Sequence, residues 1–149
     1  MIYSGTILTP RNPDEVFDFL ANPERFAPLL PDYESMSLED PTHFTVRIAV
    51  AVSQIHGSAN LAMELREAVR PGVVEYRGQG IIAGSQLNLG LQFHIAPSGS
   101  KTEVNWQGEF SLDGMMAFMA GSLMEPMGRK HFDRMAERLG ANLGAEPAT

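Results

Sequence analysis

Residues 87–112 of this 149-residue chain read LNLGLQFHIAPSGSKTEVNWQGEFSL, and this stretch decides the fold class. Apolar side chains occupy alternate positions before and after a Pro-Ser-Gly-Ser turn at residues 97–100. A period of two is typical of a strand that buries one face, and a short turn joins antiparallel neighbours. The stretch therefore predicts two long antiparallel strands in a sheet with one apolar face.

The same alternation recurs upstream of this stretch. It covers residues 44–52, 55–69 and 73–80, and further strands are indicated at 2–8 and from residue 33 onward. Long strands joined by short turns predict a strongly curved antiparallel meander. After the first strand, prolines followed by acidic residues indicate the starts of two short helices. We therefore expect an α+β domain with about seven strands and two short helices after strand 1.

A long helix is predicted to follow the last strand, over residues 114–143. Asp113 is suited to cap its start, and Gly144 is suited to end it. Pro126 is expected to kink or break the helix, because proline has no N–H to donate. We expect the curved sheet to wrap around this C-terminal helix.

The composition excludes several classes of protein. The net charge of −7 argues against a nucleic-acid binder, which normally presents a basic face to the phosphates. The absence of cysteine excludes disulfides, thiolate metal sites and a cysteine nucleophile. Residues 1–11 lack the apolar core of a signal peptide, and no stretch approaches the roughly 18 apolar residues of a membrane span. We therefore expect one soluble, cytoplasmic domain over residues 1–144, followed by a frayed tail at 145–149.

The sequence indicates neither a catalytic site nor a metal site. The four histidines, at positions 43, 56, 94 and 131, show no metal-ligand spacing, and we expect them at the surface. No serine lies in a nucleophile-elbow pattern, and the glycines form no phosphate-binding loop. The strand glutamates fall on the polar face, where they are expected to meet water. We therefore predict a protein without a catalytic residue, a metal or a cofactor.

The face of the closing helix that meets the sheet changes along its length. Its second half carries a stripe of large apolar residues that begins at Phe132 and ends at Leu143. Projected backwards at roughly 100° per residue, this stripe reaches Gly128 and Gly121. Small residues facing a curved sheet either allow close backbone contact or leave an apolar cavity, and both alternatives stay open.

The opposite face of the same half-helix is rich in methionine, where a surface helix is usually polar. This Met-rich face consists of Met115, Met116, Met119, Leu123 and Met127. Methionine is flexible and suits adaptable apolar contacts. The face is either covered by neighbouring apolar residues or exposed for reversible docking to a membrane, a partner or a second copy.

Five short stretches are similar to those of one known family. They are YSGT at 3–6, FLANPER at 19–25, LPDYES at 30–35, TEVNW at 102–106 and RKHF at 129–132. Together with the order of the elements, they resemble the carbon monoxide dehydrogenase G-subunit family, within the START-like (SRPBCC, helix-grip) superfamily. Asp32 stands where that family usually has glycine after Leu-Pro, which leaves the geometry of this loop open.

The resemblance implies a function that composition and spacing do not show. The family is linked to molybdenum-containing CO dehydrogenase-type enzymes as an accessory subunit, with proposed roles in membrane recruitment and in handling a quinone-like lipid. The resemblance therefore implies a non-catalytic accessory or carrier protein that binds a hydrophobic, quinone- or lipid-like molecule. It also implies a molybdenum hydroxylase-type partner and transient contact with the inner face of the membrane, for which the Met-rich face is the candidate contact surface.

We expect ligand contact to come from apolar residues of the sheet and of the helices that cover it. The predicted ligand-binding residues are Leu29, Leu30, Met63, Leu89, Leu91, Phe93, Trp106, Phe110, Met116, Met119, Gly121, Leu123 and Gly128. Two alternatives stay open. A polyketide cyclase-like enzyme would need polar side chains inside the cavity, whereas an interaction module would have a filled cavity and would use the Met-rich face alone.

Overall fold

The computed structural model describes residues 1–52, 55–82, 84–114 and 124–145. In chain order the elements are β1 (Ile2–Thr9), α1 (Pro13–Leu20), α2 (Pro23–Phe26), a 3-10 helix (Ala27–Leu29), β2 (Tyr33–Leu38), β3 (His43–Val52), β4 (Ile55–Val69), β5 (Val73–Ile82), β6 (Ser85–Ser98), β7 (Lys101–Leu112) and α3 (Met124–Asn142). The predicted α+β class and the two short helices after the first strand are confirmed.

The described strands form one antiparallel sheet of seven, in the order β1-β7-β6-β5-β4-β3-β2. Strands β2 to β7 are a meander of consecutive hairpins. Strand β1 forms the edge of the sheet beside β7 and pairs with it from Ile2 opposite Glu109 to Thr9 opposite Thr102. The alternation predicted from the sequence is confirmed in β3, where Phe44 and Val46 are buried and Arg47 is exposed. One face of the sheet therefore builds the core.

The start of α1 is fixed by its capping residue. The Glu15 N–H donates to the Asn12 side-chain oxygen at 2.9 Å, and Pro13 occupies the first turn, where its missing N–H costs nothing. The helix then buries Val16, Phe17 and Leu20 against the sheet. This arrangement confirms the helix start that the proline and acidic residues predicted.

An aromatic cluster lies beneath the short helices. The rings of Phe26 and Tyr76 stack with centroids 3.7 Å apart, and Phe44 and Phe93 contact this pair edge-on. The Tyr76 hydroxyl donates to the Leu20 carbonyl at 2.7 Å, which satisfies a buried polar group. Helices α1 and α2 are thereby held on one half of the sheet.

The other half of the sheet is covered by α3. The predicted apolar stripe is confirmed, since Phe132, Met135, Leu139 and Leu143 are all buried. The helix ends where predicted, with Gly144 in the left-handed region at φ +70°, and the Thr9 hydroxyl donates to the Leu143 carbonyl at 2.6 Å. The described part of the helix thus packs along β1 and β7.

Two predictions about the start of the closing helix fall outside the described residues. The carbonyl that Pro126 was expected to leave without a donor belongs to Ser122, which is not described, and Pro126 itself lies in the first turn of α3. The helix positions that Asp113 was expected to cap are likewise not described. The Asp113 carboxylate accepts from the Gln86 N–H at 2.6 Å, which ties the end of β7 to the start of β6.

Candidate functional site

A cavity of about 170 Å³ lies between α3 and the curved sheet. The described residues that line it are Leu30, Pro31, Asp32, Ile48, Ala49, Val50, Ala51, Leu61, Ile82, Leu87, Leu89, Phe110, Leu112, Met127, Gly128, His131, Phe132 and Met135. Among these residues, Asp32 and His131 are the only ones with polar side chains. An engineered apolar cavity of about 150 Å³ binds benzene, so this volume suits a small apolar molecule or the end of a larger one.

The sheet supplies one wall of the cavity through inward-facing positions of neighbouring strands. On β6, Leu87 and Leu89 lie two residues apart and therefore point to the same face, as do Phe110 and Leu112 on β7. Leu89 is directly opposite Phe110 in the register of these two strands. The inward-facing strand residues that the sequence pattern predicts for the core thus also form this wall of the cavity.

Helix α3 supplies the opposite wall with a mixture of large and small side chains. A Cβ atom added at Gly128 would lie 2.3 Å from Phe110 Cε1 and 2.4 Å from the Tyr3 hydroxyl oxygen. Of the two alternatives for the small residues, close helix-to-sheet contact therefore applies at Gly128, and the cavity lies beside this contact.

The predicted ligand-binding residues divide into three groups. Those that line the cavity are Leu30, Leu89, Phe110 and Gly128. Those that are buried in the core without lining the cavity are Leu29, Met63, Leu91, Phe93 and Trp106. Those that lie outside the described residues are Met116, Met119, Gly121 and Leu123. In the second group, the ring of Trp106 stacks on the ring of Phe132 with centroids 6.2 Å apart. Of these two residues, Phe132 lines the cavity.

The Met-rich face is only partly described. Met127 is half-buried and lines the cavity beside Gly128, not on the opposite face of the helix as predicted. Adjacent residues of a helix are only about 100° apart around its axis, so both residues can line one broad cavity. The other members, Met115, Met116, Met119 and Leu123, lie outside the described residues.

The loop after the 3-10 helix brings a carboxylate to the cavity. Asp32 has φ +59°, the left-handed region that glycine favours and that aspartate and asparagine enter more readily than other residues. Asp32 therefore adopts a left-handed backbone conformation that glycine, which has no side chain, would adopt more easily. Asp32 thereby places a carboxylate at an otherwise apolar wall.

Two hydrogen bonds hold this loop in place. The Ala49 N–H on β3 donates to the Asp32 carbonyl at 2.8 Å. From the helix side, the Arg138 guanidinium donates to the Leu30 carbonyl at 3.0 Å. The loop is therefore fixed to both walls of the cavity, on either side of Pro31.

The imidazole of His131 faces Asp32 across the cavity lining. His131 Nδ1 lies 3.8 Å from Asp32 Oδ2, and about two fifths of each side chain is exposed. Burial lowers the pKa of His131; the Asp32 carboxylate opposes this effect, and the charges of Arg134 and Lys130 add to it. His131 is thus partly exposed and lines the cavity, whereas His43, His56 and His94 are exposed.

Asp32 and His131 are the functional candidates that the sequence analysis missed. A signal for each was present. Asp32 follows Leu30 and Pro31 in one of the five family-like stretches, and His131 lies three residues after Gly128, on the flank of the stripe that faces the sheet. Neither signal shows that the two side chains meet, because that contact depends on how the loop packs against α3.

The antiparallel sheet, the closing helix and the apolar cavity between them define a START-like, helix-grip fold suited to a hydrophobic ligand. The chain belongs to the carbon monoxide dehydrogenase G-subunit (CoxG) family, whose sequence model matches residues 5–144. The resemblance seen in the five short stretches is thereby confirmed.

Solved structures share this fold at low sequence identity. A conserved protein from Geobacillus kaustophilus superposes with a TM-score of 0.81 at 11% identity, over 98% of each chain. A START superfamily protein from Mycobacterium smegmatis gives a TM-score of 0.65 at 11% identity, over 96% of this chain and 97% of that chain. The Zhui aromatase/cyclase from a Streptomyces species gives 0.56 at 20% identity, over 95% of this chain and 87% of that chain. No curated protein matches the chain in sequence.

Two features are absent from the described residues. No described helix is both long enough and apolar enough to cross a membrane. Over the same residues, no three side chains of histidine, aspartate or glutamate converge on a position that could hold a metal ion.

Proposed function

We propose that this protein is a non-catalytic carrier or accessory protein that binds a hydrophobic, quinone- or lipid-like molecule in the cavity beneath α3. The observation that carries the proposal is the cavity itself, a space of about 170 Å³ whose described lining is apolar except for Asp32 and His131. Burying apolar ligand surface there contributes about 25 cal/mol per Å². Affinity would come from this burial, and orientation from the two polar side chains.

The accessory role is supported by the family to which the chain belongs. Its name associates the family with carbon monoxide dehydrogenase, and we propose a molybdenum-containing enzyme of that type as the partner. A carrier of a quinone-like lipid must also exchange its cargo with a membrane. We propose transient contact with the inner face of the membrane, with Met115, Met116, Met119 and Leu123 of the Met-rich face as the contact surface.

A cyclase-like enzyme is the second candidate, because the cavity holds one titratable pair. Asp32 and His131 lie 3.8 Å apart, and a base of this kind could act on a substrate proton within hydrogen-bond reach. Binding is preferred because the other described lining residues offer no side-chain donor to stabilise a developing negative charge. The interaction module is less well supported, since it would have a filled cavity.

Indane, a compact bicyclic hydrocarbon, tests whether the cavity binds apolar molecules. We expect indane to bind with a dissociation constant below about 1 mM, measured from amide shifts in ¹H–¹⁵N spectra. Ile82 lines the cavity, so Ile82→Trp fills it, and we expect at least about tenfold weaker binding. Its neighbour Ile81 points to the opposite face and is 62% exposed, so Ile81→Trp should bind indane within about twofold of the unmodified protein.

The two variants distinguish binding of indane in the cavity from nonspecific adsorption to the protein surface. Shifts confined to residues around the cavity, lost in Ile82→Trp and kept in Ile81→Trp, support the proposal. Equal weakening in both variants, or no shifts in the unmodified protein near saturation of the hydrocarbon in water, would contradict it.

A further inference from the structure

Two facing side chains give the apolar cavity a single polar end. We infer that Asp32 and His131 together recognise a hydroxyl group on an otherwise apolar ligand, and that the cavity selects an alcohol or phenol over the corresponding carbonyl compound. For a quinone-like cargo, this is the reduced quinol form, which carries phenol hydroxyls in place of the carbonyls. This inference rests on the proposed function, because it names the chemical class of the ligand in the same cavity.

The distance between the two side chains leaves room for a third polar atom. His131 Nδ1 and Asp32 Oδ2 are 3.8 Å apart, which is too long for a direct hydrogen bond. An oxygen placed about 2.8 Å from both atoms makes a hydrogen bond of ordinary length to each. A ligand oxygen in this position would link the loop to α3.

The chemistry of the pair favours a hydroxyl in that position. A carboxylate only accepts hydrogen bonds, whereas a neutral imidazole donates from one nitrogen. A hydroxyl group can accept from His131 and donate to Asp32, and the bond to a charged acceptor is the stronger of the two. A carbonyl oxygen can only accept, so its lone pairs would face the negative charge of Asp32.

The charges around His131 agree with this assignment of donor and acceptor. Asp32 faces the imidazole from the loop, and Arg134 and Lys130 act on it from α3 itself. Burial and these two cations lower the pKa of His131, which favours the neutral ring. The pair therefore presents one neutral donor and one charged acceptor.

The loop is built to hold Asp32 in this position. The hydrogen bonds from Ala49 and Arg138 fix the backbone on both sides of Pro31, and Asp32 occupies the left-handed region. A preorganised acceptor loses less freedom when the ligand binds. The backbone that carries the carboxylate is thus fixed before the ligand arrives.

A set of three ligands with one skeleton tests the inference. Indane, 2-indanol and 2-indanone differ only at one ring carbon, as hydrocarbon, alcohol and ketone. We expect 2-indanol to bind about tenfold more tightly than 2-indanone, as measured by isothermal titration or amide shifts. In Asp32→Asn this ratio should fall to within about twofold, because an amide can also donate to the ketone.

The variant and its control keep the outcomes distinct. Asparagine tolerates the left-handed region, so Asp32→Asn should keep the loop geometry. Glu34→Gln removes a carboxylate two residues away that pairs with Arg47 and does not line the cavity, and it should leave the ratio unchanged. If indane binds but 2-indanol and 2-indanone bind equally, or if the preference survives in Asp32→Asn, the inference is overturned and the proposed function stands. If none of the three ligands binds, the proposed function itself fails.

Discussion

Replacing Phe132 with alanine should lower the free energy of unfolding by about 3–5 kcal/mol and enlarge the cavity. Phe132 is 6% exposed, and its ring packs against Tyr3, Trp106 and Phe110 with centroids 5.2, 6.2 and 6.5 Å away. Because one side of the ring also lines the cavity, the volume left by the truncation adds to the existing space. The stability is measured by denaturant unfolding.

The change in cavity size has its own readout and its own control. Acenaphthene is one ring larger than indane, and in Phe132→Ala its affinity relative to that of indane should rise at least about fivefold. Phe93 is fully buried but does not line the cavity, so Phe93→Ala should cost about the same stability, again about 3–5 kcal/mol, without this rise. An equal ratio in both variants would show that Phe132 does not bound the binding site.

Adding a single methyl group at Gly128 should lower the free energy of unfolding by about 1–3 kcal/mol, although alanine is the better helix former. The new Cβ would lie 2.3 Å from the Phe110 ring and 2.4 Å from the Tyr3 hydroxyl oxygen. That hydroxyl donates to the Glu125 carbonyl at 2.8 Å, so the clash also disturbs a hydrogen bond between β1 and α3. Helix and sheet would have to move apart.

A second glycine of the same helix provides the matched control. A Cβ atom at Gly140 would lie 3.5 Å from the Ala145 Cβ and 3.9 Å from Ile7 Cγ2, which are ordinary contacts. Gly140→Ala should therefore be neutral or stabilise the protein by up to about 1 kcal/mol. The two variants are compared by thermal and denaturant unfolding. If Gly128→Ala is as stable as Gly140→Ala, close packing is not the reason for glycine at position 128.

The sequence predicted the fold well because the fold depends on local periodicity. The alternation along residues 87–112 indicated the inward-facing residues of β6 and β7, and the helical stripe from Phe132 to Leu143 indicated the buried face of α3. Each of these patterns repeats within one element. A prediction of this kind needs no knowledge of how the elements are placed.

The site was predicted less completely because it depends on how the elements meet. Leu89, Leu91 and Phe93 share one face of β6, yet only Leu89 lines the cavity, since the other two are covered by the core beneath the short helices. The alternation of side chains along a strand shows which face a residue is on, but it cannot show which residues of that face line the cavity. The approach of Asp32 to His131 likewise requires the loop to be bound to β3 and α3, over contacts far apart in the sequence.

The proposed function requires that the cavity carries a hydrophobic cargo, and native mass spectrometry of the protein shows whether it does. The purified protein is measured before and after exposure to a total membrane lipid extract, beside Ile82→Trp and Ile81→Trp. We expect a one-to-one adduct with a quinone- or lipid-like molecule, lost on denaturation, absent from Ile82→Trp and kept in Ile81→Trp. A clean mass of the protein alone under all conditions, or an adduct that persists when the cavity is filled, would contradict it.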